Sequence, residues 1–124
     1  MRILFVTVFG LIGVFSRYII GSVFRHESHA FPWETFGINL FGCFLIGIVY
    51  VYGVEKSVLS EDLKVGLLVG LLGGFTTFSA YGLETAVLIK NGQAVLGLVY
   101  AISSSVFGVL LTFAGIYLSR SLTR

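Results

Sequence analysis

The chain has 124 residues, of which 56% are hydrophobic and 11% charged, with a formal charge of +2 and a mean hydropathy of +0.99. An ordinary soluble domain carries about a quarter charged residues, so this composition excludes one and indicates a membrane protein. The small positive excess is spread over loops and ends, which gives nucleic-acid binding no support.

Four apolar stretches follow one another with short polar joints, at roughly Ile3–Phe24, Trp33–Val54, Val65–Ile89 and Ala94–Leu118. Each exceeds the ~20 residues that a helix needs to cross a bilayer. Residues 1–124 therefore read as one all-α integral membrane domain. The first stretch is too long for a signal-peptide core and shows no small-residue cleavage site, so it is expected to be a mature span. The single cysteine, Cys43, falls inside the second stretch and can form no internal disulfide. An even number of spans puts both termini on one side. Arg2, Lys56, Lys64, Arg120 and Arg124 share that side, against Arg25 and Lys90 opposite, a bias of 5 − 2 = 3. The count leans towards cytoplasmic termini and leaves open a chain that inserts both ways.

In the first span, Arg17-Tyr18 lies about two-thirds of the way along. An arginine there is either an interfacial anchor or a structural or ion-attracting group. His26 and His29 in the following joint are three apart, but with no third histidine or nearby cysteine they make a weak metal site. Pro32 and Trp33 restart the chain at an interface, proline suiting a first helical turn and tryptophan the headgroup belt.

The second span holds Asn39, its only amide, among Gly37, Gly42 and Gly47. A buried amide needs a partner, either a neighbouring helix or a polar passage. Ser60, followed by Glu61 and Asp62, reads as the start of the next helix. Gly66, Gly70 and Gly74 then repeat every four residues on one face, a seam for tight helix contact.

The third span is where the pattern departs from a plain helix. Gly73-Gly74-Phe75-Thr76-Thr77-Phe78-Ser79 places glycines and hydroxyl residues inside an apolar run. Glycine costs roughly 1 kcal/mol against alanine in a helix, and Thr and Ser compete for backbone bonds. A helix broken near mid-membrane is predicted. Lipid cannot satisfy freed backbone groups, so the break must be buried in protein or line a wet cavity. Beyond it, Phe78, Tyr81 and Glu84 recur every three residues on adjoining positions of one face, before Lys90-Asn91-Gly92 ends the helix. In the fourth span, Tyr100, Ser104 and Gly108 share a face, and at least one of Ser103, Ser104 and Ser105 is expected to bond back to its own helix.

No catalytic set is visible, neither paired carboxylates in the membrane nor a serine-histidine-acid arrangement nor a phosphate loop, so an enzyme is not expected. Asn39, Thr76, Thr77, Ser79 and Ser104 instead offer neutral donors beside aromatic rings. Ring edges carry partial positive charge, and edges plus neutral donors suit a small, hard anion. Four helices of a 13.5 kDa chain enclose little on their own, and the seam glycines point to a dimer.

At Gly73–Ser79 the sequence resembles the CrcB/Fluc fluoride channel family, and the likeness extends over essentially the whole chain. Arg17-Tyr18 in the first span, Asn39 with its following glycines, and Glu84 after the central motif carry it further. The resemblance implies a passive fluoride-selective channel in a prokaryotic cell membrane. There it would release fluoride that entered as HF, as an antiparallel dual-topology dimer with two pores. It further implies a buried sodium ion held by backbone carbonyls at the breaks, here those of Gly73 and Thr76. Phe78 and Tyr81 map to the fluoride-contacting rings with Asn39 beside them, Thr35 and Glu84 to a region near one mouth, and Tyr100 and Ser104 to a polar track. Two departures stand out. Tyr81 occupies a usual phenylalanine position, and Gly108 a position where some relatives have a second track serine. The family also includes pairs of separately encoded chains that work as heterodimers, so the partner is a second copy or a paralogue. A small multidrug-type proton-coupled exporter and a non-transporting scaffold are the alternatives. The exporter class needs a carboxylate in its first span, where this chain has none.

Overall fold

The computed structural model describes residues 1–24 and 30–123. The readings attached to Arg25, to the His26 and His29 pair and to Arg124 lie outside the described residues. The remainder is helical: α1 (Arg2–Val23), α2 (Trp33–Glu55), α3 (residues 61–75), α4 (Phe78–Lys90) and α5 (Ala94–Leu122). α3 and α4 together form a single 30-residue span, so four helical rods are long and apolar enough to cross a membrane. Their ends follow local chemistry. Ser60 caps α3 by accepting from the Leu63 amide at 3.3 Å, and Gly92 leaves α4 with φ of 82°, a left-handed turn that favours glycine.

Two tight pairs build the bundle, α1 on α3 and α2 on α5, and α4 packs on α5. The glycines explain the approach distances. A Cβ at Gly70 would lie 2.8 Å from the Val6 carbonyl, and one at Gly74 would lie 2.9 Å from that of Gly10. A Cβ at Gly13 would run into the Leu71 carbonyl, and Gly47 and Gly115 stand equally close to backbone across α2 and α5. The Gly66/Gly70/Gly74 seam is therefore spent within the chain, against α1. The expectation that it points to a second chain is corrected, because its face is already occupied by α1 backbone.

The helix ends of α2 and the middle of α3, Val51–Glu55 and Gly66–Leu72, widen to turns bonded five residues apart. The surface is unusually large and apolar. At 7672 Å² it exceeds the about 6,500 Å² expected of a folded soluble monomer of this mass. Phe15, Tyr18, Val95 and Phe113 all point outward, as in a protein whose helices face lipid or another chain.

Candidate functional site

The span 61–90 breaks at two residues. Thr76 is extended at φ −80° and ψ 158°, and Thr77 likewise at φ −147° and ψ 118°. Both are β-branched, which costs helical side-chain freedom, and both have hydroxyls that bond to helix backbone. Thr76 Oγ1 donates back to the Leu72 carbonyl at 2.8 Å. Thr77 Oγ1 caps α4 by accepting from the Ala80 amide at 3.3 Å, and it lies 3.4 Å from Ser79 Oγ.

Asn39 holds the break from the side. Its Oδ1 accepts from the Thr77 amide at 2.8 Å and its Nδ2 donates to the Thr77 carbonyl at 3.0 Å. One side-chain amide thus supplies the acceptor that the Thr77 amide has lost and a further donor to its carbonyl, answering the demand that freed backbone be satisfied. Gly42, one turn on from Asn39, makes this fit possible, because a Cβ there would overlap Thr76 Cγ2. From the other side Arg17 donates through Nε to the Gly74 carbonyl at 3.1 Å. The four helix bonds that would span the break, from the amides of residues 77–80, are all forgone, and two of those amides find side-chain acceptors. The Thr77 amide that would serve Gly73 goes to Asn39, and the Ala80 amide that would serve Thr76 goes to Thr77 Oγ1. The carbonyls of Gly73, Phe75 and Thr76 are thus left without their helix donors, while that of Gly74 takes Arg17 instead.

Two cavities meet at Thr77. One, of about 350 Å³, is bounded by Asn39, Cys43, Thr76, Phe78, Tyr81 and Ser104. The other, of about 580 Å³, is bounded by Arg17, Glu34, Thr35, Ile38 and Glu84, and Thr77 lines both. In the first, the Phe78 ring is 84% exposed and stands 5.4 Å from that of Tyr81. The Tyr81 hydroxyl donates to the Ala101 carbonyl at 3.2 Å, which ties α4 to α5. Ser103 and Ser105 bond back to the carbonyls of Tyr100 and Ala101, whereas the buried Ser104 hydroxyl has no partner among the described residues.

In the second cavity Glu84 is held at both oxygens, by Thr35 Oγ1 at 2.6 Å and by the Tyr100 hydroxyl at 2.7 Å. Thr35 is buried, and Tyr100 is fully enclosed with its ring 5.5 Å from that of Tyr81. No group of three or more metal-ligating side chains occurs among the described residues.

Residues 4–116 match the family model described as CrcB-like protein, Camphor Resistance (CrcB). The chain belongs to the CrcB family. Relatives named fluoride-specific ion channel FluC align over nearly their whole length. That of Acidithiobacillus ferrooxidans is 40% identical over 121 residues, covering 94% of each chain. That of Geobacter sulfurreducens is 37% identical, covering 97% of this chain and 98% of its own. That of Rhizobium meliloti is 38% identical over 98% of both. With these relatives and four spans, this CrcB chain is a multi-pass membrane protein.

Most residues singled out from the sequence do converge in this CrcB chain, though not as one line. Asn39, Thr76, Thr77, Phe78, Tyr81 and Ser104 share the smaller cavity with Gly73, and Ser79 sits beside Thr77. Glu84 does not continue the Phe78–Tyr81 line. It lines the other cavity with Thr35 and Arg17, because its carboxylate is drawn to Thr35 and Tyr100. Tyr100 lines neither cavity and acts through Glu84. Gly108 stands against Cys43, with a Cβ there 3.3 Å from the sulfur. Glu34 was missed altogether. Its signal was available, a carboxylate in the first turn of an apolar span, but a first-turn acid is also ordinary helix chemistry.

Proposed function

We propose that this chain forms a passive fluoride-selective channel that exports cytoplasmic fluoride down its electrochemical gradient and so confers resistance to it. The observation that carries the reading is the Thr76–Thr77 break, clamped by Asn39 and opening on a cavity of neutral donors rimmed by aromatic rings. A small anion there meets the hydroxyls of Ser104 and Thr77 and the Asn39 amide beside the rings of Phe78 and Tyr81, with Ser79 next to Thr77. None of these groups is a cation. Fluoride is therefore coordinated without being trapped, as conduction requires. Thr35 and Glu84 border one mouth of this pathway, with Tyr100 behind Glu84 and Arg17 in the vestibule.

The working form is an antiparallel dual-topology homodimer with two pores, in the cell membrane of a prokaryote, with the break near mid-membrane. A phenyl ring at the lip of this cavity and 84% exposed on the single chain leaves the cavity open on one side, and a second copy closes it. The breaks would then face each other across the dimer axis. A sodium ion fits between them, since Gly73 and Thr76 each lack their usual helix donor and carbonyl oxygens are the ligands such a hard cation takes. Bound there, sodium would supply fixed positive charge that neutralises the convergent carbonyl dipoles. Asn39 and Arg17 do the remaining work from within each chain, by holding Thr77 and Gly74 in place.

The test is efflux from vesicles containing the purified chain and loaded with potassium fluoride. A passive channel releases fluoride only after a potassium ionophore is added, and does so without a pH gradient. Release that requires a proton gradient would overturn the reading in favour of a coupled exporter.

A further inference from the structure

The larger cavity contains one charge that the pathway above does not use. Glu34 stands in the first turn of α2 and reaches across to α1, where its carboxylate occupies a notch left by the missing side chain of Gly21. A Cβ on Gly21 would lie 2.5 Å from Glu34 Oε1. Gly21 is four residues beyond Arg17, so the two share one face of α1 and bring Glu34 to the face that carries the arginine. The carboxylate makes no hydrogen bond or ion pair within 4.0 Å among the described residues. Its charge is therefore not cancelled by a contact partner there.

The sign of the cavity follows. Its charged lining consists of Arg17, Glu34 and Glu84, one cation against two carboxylates, which sum to −1. Arg17 is already turned through Nε towards the Gly74 carbonyl, and Glu84 is held by Thr35 and Tyr100. Glu34 is the member of the set with no such engagement. Without it the charged lining sums to zero.

We infer that Glu34 is a rate-setting electrostatic residue of this mouth, opposing entry of the anion into the cavity that leads to Thr77. The inference rests on the channel reading above. A single charge in an open, wetted cavity acts at a range comparable with the screening length, so its effect must fade as salt is added. That dependence separates it from a packing effect, which salt does not remove.

The experiment compares wild type with Glu34→Gln, a near-isosteric change, in vesicles holding a low concentration of potassium fluoride. Total ionic strength is set with an impermeant potassium salt on both sides, at about 0.01 M or about 0.15 M, where the screening length falls from ~30 Å to ~8 Å. Glu34→Gln should raise fluoride release about 1.5- to 2-fold at the lower ionic strength, the size of one unit charge acting over ~10 Å in weakly screened water. At the higher it should match wild type. Glu34→Lys should move further in the same direction, and it provides the answer should the glutamine variant fold poorly. Glu61→Gln, which removes a charge paired with Lys64 at the start of α3 and away from the cavity, should change neither. Wild-type release with no effect of either Glu34 substitution, or with an increase that salt leaves intact, overturns the inference alone. Silent wild-type vesicles at both salt levels overturn the channel reading and the inference together.

Discussion

Replacing Asn39 by alanine removes the two hydrogen bonds that hold Thr77, the 2.8 Å bond from its amide and the 3.0 Å bond to its carbonyl. Each buried backbone group left without a partner costs about 1–3 kcal/mol. Side-chain bonds between membrane helices average nearer 0.6 kcal/mol, because the altered state finds other partners. Thr77 borders two cavities, so water reaches the freed groups, and a total near 2 kcal/mol is expected, towards the low end of the first range. That shifts the population of the intact break about thirtyfold. Thermal unfolding in detergent should show the loss of stability, and fluoride release from vesicles should fall with it. Asn39→Asp separates geometry from charge. It keeps an acceptor for the Thr77 amide but sets a carboxylate oxygen against the Thr77 carbonyl and beside the anion, so flux should be crippled even where the fold survives. Unchanged melting in Asn39→Ala together with retained flux in both variants would refute the clamp.

Phe78→Ile should abolish or cripple fluoride flux while leaving the protomer folded, since the ring is 84% exposed and contributes little to the packing within the chain; flux and thermal stability measured on one preparation check this. Gly13→Val should destabilise the protein by about 1–3 kcal/mol, because a Cβ there meets the Leu71 carbonyl and lies 2.9 Å from the Phe75 amide nitrogen; loss of a monodisperse species on size-exclusion chromatography would register it. Glu84→Gln should keep downhill, ionophore-dependent release, with any change confined to its rate, since the amide oxygen keeps one of the two hydroxyl donors and its NH2 can donate to the oxygen of the other. Complete loss of transport together with its pH dependence would point to a proton-coupled exporter.

How much was legible in the sequence varies with the range of the interaction. The four spans could be read because hydropathy is a property of contiguous residues; the third helix begins at Glu61, ahead of the apolar run from Val65, as the Ser60 start signal indicates. The break was legible for the same local reason, glycines followed by hydroxyls, and it falls at Thr76–Thr77 within the predicted stretch. At least one of the three serines in α5 was expected to bond back; two do, and the remaining one, Ser104, faces the cavity. What escaped is what depends on distant pairs. The Asn39–Thr77 clamp joins residues 38 apart, and Arg17 reaches Gly74 across 57. Periodicity also misplaced Glu84 relative to Phe78, since a three-residue spacing drifts around the helix and Tyr100 and Thr35 supply a stronger claim on the carboxylate. The glycine seam was correctly seen as a contact surface, but a repeat every four residues carries no mark of which helix will fill it. The widened turns at Val51–Glu55 and Gly66–Leu72 have no sequence signature of their own.

The most direct test of the central claim is selectivity in a single preparation. The purified chain is reconstituted alone, vesicles are loaded with potassium fluoride or potassium chloride, and anion release is followed with the corresponding electrode after a potassium ionophore is added. The account predicts rapid fluoride release with little chloride release, from this one polypeptide without a companion chain. Equal release of both anions, or release of neither from folded protein, would contradict it.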